Sequence, residues 1–383
     1  MKNPNEQSII SVKKISIVCY YYCFELSPVL KNICTFFYDK FHLKIDVFVE
    51  NIYRDKLVKV KGANIFSLSD HYPLRSFFYK NILQLSQINS FKYFIKNKIR
   101  RYDLIFAVDF LSLLCLYDVG FDLKKVVFLS FEGIDFMKIS TLKKSHIYAL
   151  LESCKMRIIQ NKERAEDVSN YLEKNLVFNF LPVSQRQEKV ISRKGLQNRI
   201  QIIYSGYFAE WSGLREFLYG YKLSGSFNMC DLVLQGHSIA TEKYLAELHE
   251  IILSISGCTI DECFYSDAEH LNLLADKHVG LAFYNNIGNS SNFENLITSS
   301  GKIASYLKSG LAILTNINED ITKKPPFIYI ENYSPEYIRI ALETINANRE
   351  QYAQAAFDLV SRLYDFDRYI SSILVQLGFK INT

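Results

Sequence analysis

The sequence holds no run of about 18 uncharged apolar residues, the length a helix needs to cross a bilayer, so no spanning helix is expected. Residues Met1 to Lys14 are polar and lack an apolar segment followed by a cleavage site. A secretory signal is therefore not expected, and the cytoplasm is the expected compartment. No Gly-x-Gly-x-x-Gly follows an apolar run, which argues against a dinucleotide dehydrogenase. The eight cysteines are mostly flanked by apolar residues, and neither close pair has a matching second pair or nearby histidines. They read as reduced, buried thiols rather than zinc ligands or disulfides. His71, His146, His237 and His270 show no paired spacing and read as surface or packing residues. No acidic metal motif, internal repeat or low-complexity tract is visible, and no metal or other cofactor is expected.

What is present is a chain of 383 residues, 49% hydrophobic and 22% charged, long enough for two globular domains. Residues 1–185 carry 27 Lys and Arg against 18 Asp and Glu, whereas the remainder carries 18 against 22. The basic front half suits an anionic partner. Short apolar, β-branched runs at Ile15–Cys19, Lys44–Val49, Leu104–Val108, Val126–Leu129 and Arg157–Gln160 alternate with helical patterns. The alternation restarts at Ile200–Tyr204 and continues through Asp231–Leu234, Glu262–Tyr265, Val279–Phe283 and Leu311–Leu314. Strands separated by helices predict doubly wound parallel sheets, here in two Rossmann-like α/β domains facing a cleft. The expected boundaries are 1–185 and 199–364, joined by a polar linker at 186–198. A final helix at 365–383 follows a break at Tyr364-Asp365-Phe366-Asp367.

The most informative segment is Ser299-Ser300-Gly301-Lys302-Ile303-Ala304-Ser305-Tyr306-Leu307-Lys308-Ser309-Gly310-Leu311-Ala312-Ile313-Leu314. Hydroxyl residues start a short helix, which ends at a glycine and feeds a buried strand. Free backbone N–H groups, the helix dipole and two hydroxyls converge at its amino end, an arrangement suited to phosphate. Lys302 in the first turn opposes the dipole unless an anion is present. An ordinary serine-capped helix with a solvated lysine remains open. Upstream, Ile202-Ile203-Tyr204-Ser205-Gly206-Tyr207-Phe208 carries a strand into a glycine-bearing loop, where absence of a side chain lets a ligand approach the backbone.

These residues resemble the donor-binding part of GT-B glycosyltransferases, in particular the retaining family 4 (group 1) enzymes of bacterial surface polysaccharide synthesis. Their Lys-Leu-x-Glu-Tyr-Leu-x-x-Gly-Leu-Pro-Val-Ile pattern is matched at Lys302, Tyr306, Leu307, Gly310, Leu311 and Ile313. Ser305 stands where the family has a glutamate that binds the donor ribose, and Ala312 where it has proline. Further motifs follow in the family's order: Gln160-Asn161-Lys162-Glu163-Arg164 and Leu181-Pro182 near the end of the first domain, and the late helix break.

The resemblance implies a GT-B fold whose final helix crosses back to the first domain. It also implies sugar transfer from a UDP- or GDP-sugar to a glycan acceptor, lipid-linked in capsule, lipopolysaccharide or other surface polysaccharide synthesis. A nucleotide-sugar epimerase and a non-catalytic sugar-nucleotide-binding scaffold share the architecture and remain alternatives. The donor set implied is Gly206, Tyr207, Tyr265 as a base-stacking ring, Tyr284, Asn285, Ser299, Ser300, Gly301 and Lys302, with Arg215 assisting. Glu294 is the candidate for the missing ribose ligand. Glu132, in a loop following a strand, is the candidate catalytic carboxylate, with Asp109 and Asp135 behind it. An inverting enzyme needs such a base; a retaining one uses it less directly, with the donor phosphate taking the acceptor proton.

Between Tyr72 and Arg101 lie Arg75, Lys80, Lys92, Lys96, Lys98, Arg100 and Arg101 with no acid, interleaved with six aromatic residues. That pattern suits an anionic membrane surface, with a solvated helix face as the alternative. The resemblance implies extension of lipid-linked glycans at the inner membrane face. No nucleic-acid motif accompanies it, so nucleic acid is not an expected partner.

Overall fold

The computed structural model describes residues 14–20, 24, 27–50, 60–68, 84–131, 142–183, 199–237, 240–263, 265–285 and 296–381. The chain divides into one compact unit of Met1–Arg186 with Phe366–Thr383 and a second of Gln187–Asp365. Glu132, Asp135, Glu294, the segment 186–198 and the stretch 72–83 lie outside the described residues.

In the first unit, β1 (Ile15–Cys19), β2 (Ile45–Val49), β3 (Ala63–Ser67), β4 (Leu104–Val108), β5 (Val126–Leu129), β6 (Met156–Ile159) and β7 (Asn179–Phe180) form one parallel sheet. Its order is β3-β2-β1-β4-β5-β6-β7. Among the described residues five helices alternate with the strands: α1 (Pro28–Phe41), α2 (Gln84–Lys96), α3 (Asp109–Asp118), α4 (Lys144–Ser153) and α5 (Lys162–Leu172). Both faces of β1 are covered. Ile15, Ile17 and Cys19 enter one core, whereas Val18 enters the other. A continuous apolar run is the sequence signature of such a strand.

The second unit repeats the plan. Strands β8 (Ile200–Ser205), β9 (Cys230–Gln235), β10 (Cys258–Asp261), β11 (Val279–Ala282), β12 (Ala312–Thr315) and β13 (Phe327–Tyr329) pair in parallel in the order β10-β9-β8-β11-β12-β13. Helices α6 (Leu214–Ser224), α7 (Glu242–Leu253), α8 (Asp267–Ala275), α9 (Gly301–Lys308), α10 (Pro335–Ala347) and α11 (Arg349–Leu363) belong to it. Strand order reverses between β1 and β4 in one sheet and between β8 and β11 in the other. At such a switch the loops leaving the carboxyl ends diverge and open a crevice for ligand.

The last helix, α12 (Phe366–Gln376), returns to the first unit. Phe366, Ile370, Ile373 and Leu374 recur on one helical face and are buried in the core that holds Phe36 and Phe37 of α1. The Phe36 and Phe366 rings meet edge to face at 6.4 Å. Among the described residues no helix is long and apolar enough to cross a membrane.

Strands β3, β7 and β13 are additions to the expected set, and one expected strand is displaced. The segment expected at Glu262–Tyr265 is preceded by the true strand, β10, whose Cys258 pairs with Leu232 of β9. Gly257, at φ +74, turns the chain out of the preceding segment and into β10. Tyr265 consequently follows the strand end by four residues instead of closing it.

The basic stretch is partly visible in α2. Phe91 and Phe94 point into the core, and Tyr93 is 63% exposed. Lys92 pairs with Asp118 at 2.5 Å, Lys98 lies 4.0 Å over the Phe94 ring, and Arg101 reaches Asp46 at 3.5 Å. Lys96 and Arg100 are exposed.

Candidate nucleotide-binding site

The site is built around the start of α9. Ser300 is in extended conformation and its Oγ accepts the Ile303 N–H at 3.4 Å, which begins the helix at Gly301. At the other end Gly310 sits at φ +67, and the Leu311 N–H returns to the Tyr306 carbonyl at 3.0 Å. The chain then enters β12. Because α9 carries the chain from β11 back to the start of β12, its amino end lies at the carboxyl edge of the sheet. Unpaired N–H groups and the positive end of the dipole are presented there.

Lys302, in the first turn, is not solvated. Part of its stem reaches the surface, but its Nζ is fully covered and has no hydrogen-bond or ion-pair partner among the described residues. The ammonium lies 4.1 Å from the ring centre of Tyr204 and 5.0 Å from that of Tyr284. These rings come from the last turn of β8 and the exit of β11, the two strands that flank the switch. Desolvation pushes the Lys302 ammonium down from 10.5 to about 7. Tyr284 is fixed in turn: its hydroxyl meets Ser300 Oγ at 2.9 Å, and its ring stacks parallel on Trp211 with centroids 6.2 Å apart. Burial raises the Tyr284 phenol to about 12, so both rings face the lysine uncharged.

Gly206 follows β8 and adopts φ +153. A Cβ there would approach Lys302 Cε to 3.2 Å, which places the lysine stem along the bare backbone. Across the loop, a Cβ on Gly236 would stand only 1.8 Å from the Gly206 carbonyl oxygen, so the two loops meet backbone to backbone. The Gly206 N–H donates to the Gln235 carbonyl at 3.0 Å, and the Ser205 N–H to the Tyr306 hydroxyl at 2.7 Å. Helix α9 and the glycine loop are thereby tied one turn beyond the lysine.

The structure brings Gly206, Tyr284, Ser300, Gly301 and Lys302 together. Ser299, also buried, immediately precedes the cap. Tyr207 is 44% exposed beside them, its carbonyl accepting the Tyr204 hydroxyl at 2.7 Å. Asn285 is occupied within the fold: its side chain accepts from the Tyr333 hydroxyl at 3.0 Å and donates to Glu216 at 3.4 Å. Tyr265 donates to Asp261 at 2.6 Å beside β10, two strands from β8. Arg215 is engaged by Glu216 at 2.8 Å and Glu247 at 3.2 Å. The serine in place of the family's ribose-binding glutamate, Ser305, turns its hydroxyl back to the Gly301 carbonyl at 2.9 Å.

Sequence reasoning found Tyr284 but missed Tyr204, the other ring over the lysine, and Trp211, which stacks on Tyr284, since Tyr204 reads as a strand residue and Trp211 as a loop aromatic. It also placed His270 among packing or surface residues, whereas His270 Nε2 is 2.8 Å from Ser205 Oγ. At the carboxyl edge of the first sheet, Asp109 sits at φ 60 and its Oδ1 accepts the Phe131 N–H at 3.3 Å, one residue before Glu132. Among the described residues no group of His, Cys, Asp and Glu could hold a metal ion.

No protein-family model matches the sequence, and no curated protein matches it. In structure the chain is similar to the N-terminal domain of Candida albicans trehalose-6-phosphate phosphatase, with a TM-score of 0.65, 11% identity, and 96% of this chain and 97% of that one covered. It is similar to Anabaena HepE in complex with UDP and glucose, with a TM-score of 0.64, 12% identity, and 95% and 99% covered. It is also similar to the trehalose-6-phosphate synthase OtsA, with a TM-score of 0.63, 11% identity, and 96% and 100% covered. Likeness over almost the full length of each chain, with two parallel sheets of seven and six strands, identifies the fold of this chain as GT-B.

Proposed function

We propose that the protein transfers a sugar from a UDP- or GDP-sugar to a glycan acceptor. The observation that carries this reading is the covered Lys302 ammonium at the amino end of α9, without a hydrogen-bond or ion-pair partner among the described residues, against a glycine loop at the switch of the second sheet. A buried lysine with no carboxylate beside it is costly unless an anion completes it. A diphosphate fits: one phosphate meets the α9 N–H groups and Ser300, the other the lysine, whose stem lies along the bare Gly206 backbone. As the bond between the anomeric carbon and the β-phosphate oxygen breaks, negative charge accumulates on that oxygen. Lys302 and the helix end stabilise it. The HepE structure, bound to UDP and glucose, supports the donor class.

On the acceptor side, Glu132 orients the acceptor hydroxyl or takes its proton, with Asp109 holding the backbone just before it. The acceptor is lipid-linked, in surface polysaccharide synthesis, and the protein works at the inner membrane face. The exposed Tyr93, Lys96 and Arg100 on and after α2 support contact with anionic lipid, which liposome co-sedimentation at moderate salt tests.

Trp211 is the sole tryptophan and stacks on Tyr284, so its fluorescence reports on the site. Titration of UDP, GDP, CMP, ADP and their sugars, followed by fluorescence and thermal shift, is expected to show one nucleotide family binding wild type and not Lys302→Ala. Absence of binding by any of them refutes the reading. With the nucleotide known, release of free nucleotide diphosphate that depends on a glycan acceptor separates transfer from epimerisation.

A further inference from the structure

We infer that His270 is a positioning residue for the donor loop, acting through Ser205 and Gln235; the inference rests on the nucleotide-binding reading above. The direction of each hydrogen bond in this cluster is fixed. Gln235 Nε2 donates to the Cys263 carbonyl at 3.1 Å, and a carbonyl only accepts. Gln235 Oε1 is therefore the atom facing Ser205, whose hydroxyl donates to it at 2.6 Å. With its proton committed to Gln235, Ser205 Oγ can only accept from His270 Nε2 at 2.8 Å. His270 is thus protonated on Nε2, and the Ser–His pair is the wrong way round for a nucleophile and its base.

The relay joins four pieces of the carboxyl edge. His270 lies in the first two turns of α8, which starts at the Ser266–Glu269 capping box. Ser205 ends β8, Gln235 ends β9, and Cys263 lies just past β10. Ser205 also gives its N–H to Tyr306 of α9, four residues beyond Lys302. One serine therefore fixes the glycine loop to the phosphate helix through its backbone and to two neighbouring strands and α8 through its side chain. Gly206 and Gly236, the next residues along their respective strands, have no side chains with which to hold themselves. Their separation is set by what anchors the residues before them.

The test compares wild type, His270→Ala and His270→Gln, the last keeping a donor N–H at about the reach of Nε2. Binding of UDP and GDP is followed by calorimetry, and hydrogen exchange of the Gly206 amide is followed without ligand. His270→Ala is expected to weaken the nucleotide that binds wild type about tenfold and to speed Gly206 exchange by a similar factor. His270→Gln is expected to restore both to within about twofold. A urea midpoint on each variant separates local loosening from global loss of stability. Unchanged Gly206 exchange in His270→Ala overturns the inference, as does failure of His270→Gln to rescue at an unchanged midpoint. Wild type that binds neither nucleotide refutes the nucleotide reading instead, while the exchange measurement still decides the positioning role.

Discussion

Replacing Lys302 by methionine removes the charge and keeps most of the stem, and the structure predicts that the unliganded protein becomes more stable. Holding the amine at about 7 when the unfolded chain holds it at 10.5 costs about 4 kcal/mol at pH 7.5. Fitting a thioether into the packed space returns up to about 1.5 kcal/mol of that. Lys302→Met is therefore expected to gain about 2 kcal/mol, or about 4–8 °C in the melting temperature of the second unit. The gain has a pH signature. Between 7 and 10.5 the unfolded state binds the proton and the folded state does not, so wild-type stability rises with pH through that window and falls as pH drops toward 7. The advantage of the variant should be largest near pH 7 and vanish near pH 10.5. Differential scanning calorimetry of both proteins from pH 6.5 to 10 reads this directly. Nucleotide should reverse the order: wild type gains about 3 kcal/mol at a hundredfold excess over its dissociation constant, and the variant gains nothing. A variant that melts below wild type at pH 7.5, or whose advantage is flat with pH, refutes the picture of a covered, partnerless amine.

Binding of a UDP-sugar, whose diphosphate does not titrate near neutrality, should draw one proton onto Lys302 above pH 7, lowering affinity by up to about tenfold per pH unit from 7.5 to 9; calorimetry in buffers of different ionisation enthalpy detects the proton. Gly236→Ala forces a Cβ against the Gly206 carbonyl and should destabilise the second unit by about 1–3 kcal/mol while weakening nucleotide binding, seen in urea unfolding and Trp211 titrations. Leu374→Ala empties a buried position of α12 in the first core and should cost about 2–5 kcal/mol. Its urea transition should shift with the nucleotide response of the second unit unchanged.

Legibility of the fold followed burial. Strands β1, β4, β5, β8, β11 and β12 are buried at every residue, and each reads as a mainly apolar run, broken only by Ser16 in β1, by Gln201 in β8 and at strand ends. The four edge strands behaved differently. β3, β7 and β13 leave no clear run, and β10 is displaced from the expected segment, because each is partly exposed. The same contrast holds at the site. Ser299, Ser300, Gly301 and Lys302 announce a helix start by their order alone, since capping is local chemistry. The contacts that decide what Lys302 does are not local. Tyr204 lies on another strand, and the bond between Ser205 and Tyr306 spans 101 residues. His270 carried no paired spacing because its partner is a serine 65 residues away.

The enclosure of Lys302 by rings instead of carboxylates has a chemical consequence of its own. A lysine paired with an acid carries its charge before the ligand arrives, and the ligand must displace the acid. Arg215 is in that position, with Glu216 and Glu247 on its guanidinium. Among the described residues Lys302 has no such acid to displace, and burial keeps its amine poised between charged and neutral near pH 7. The approaching anion itself then supplies the field that fixes the proton, and a more highly charged anion fixes it more firmly. On the proposed reading, two phosphates at the α9 end stabilise the ammonium more than one, which favours a diphosphate over a monophosphate partly through the proton that binding draws from solvent. Ser305 fits the same logic: with its hydroxyl turned back to Gly301, this turn of α9 offers no negative charge to compete with the ligand for the lysine.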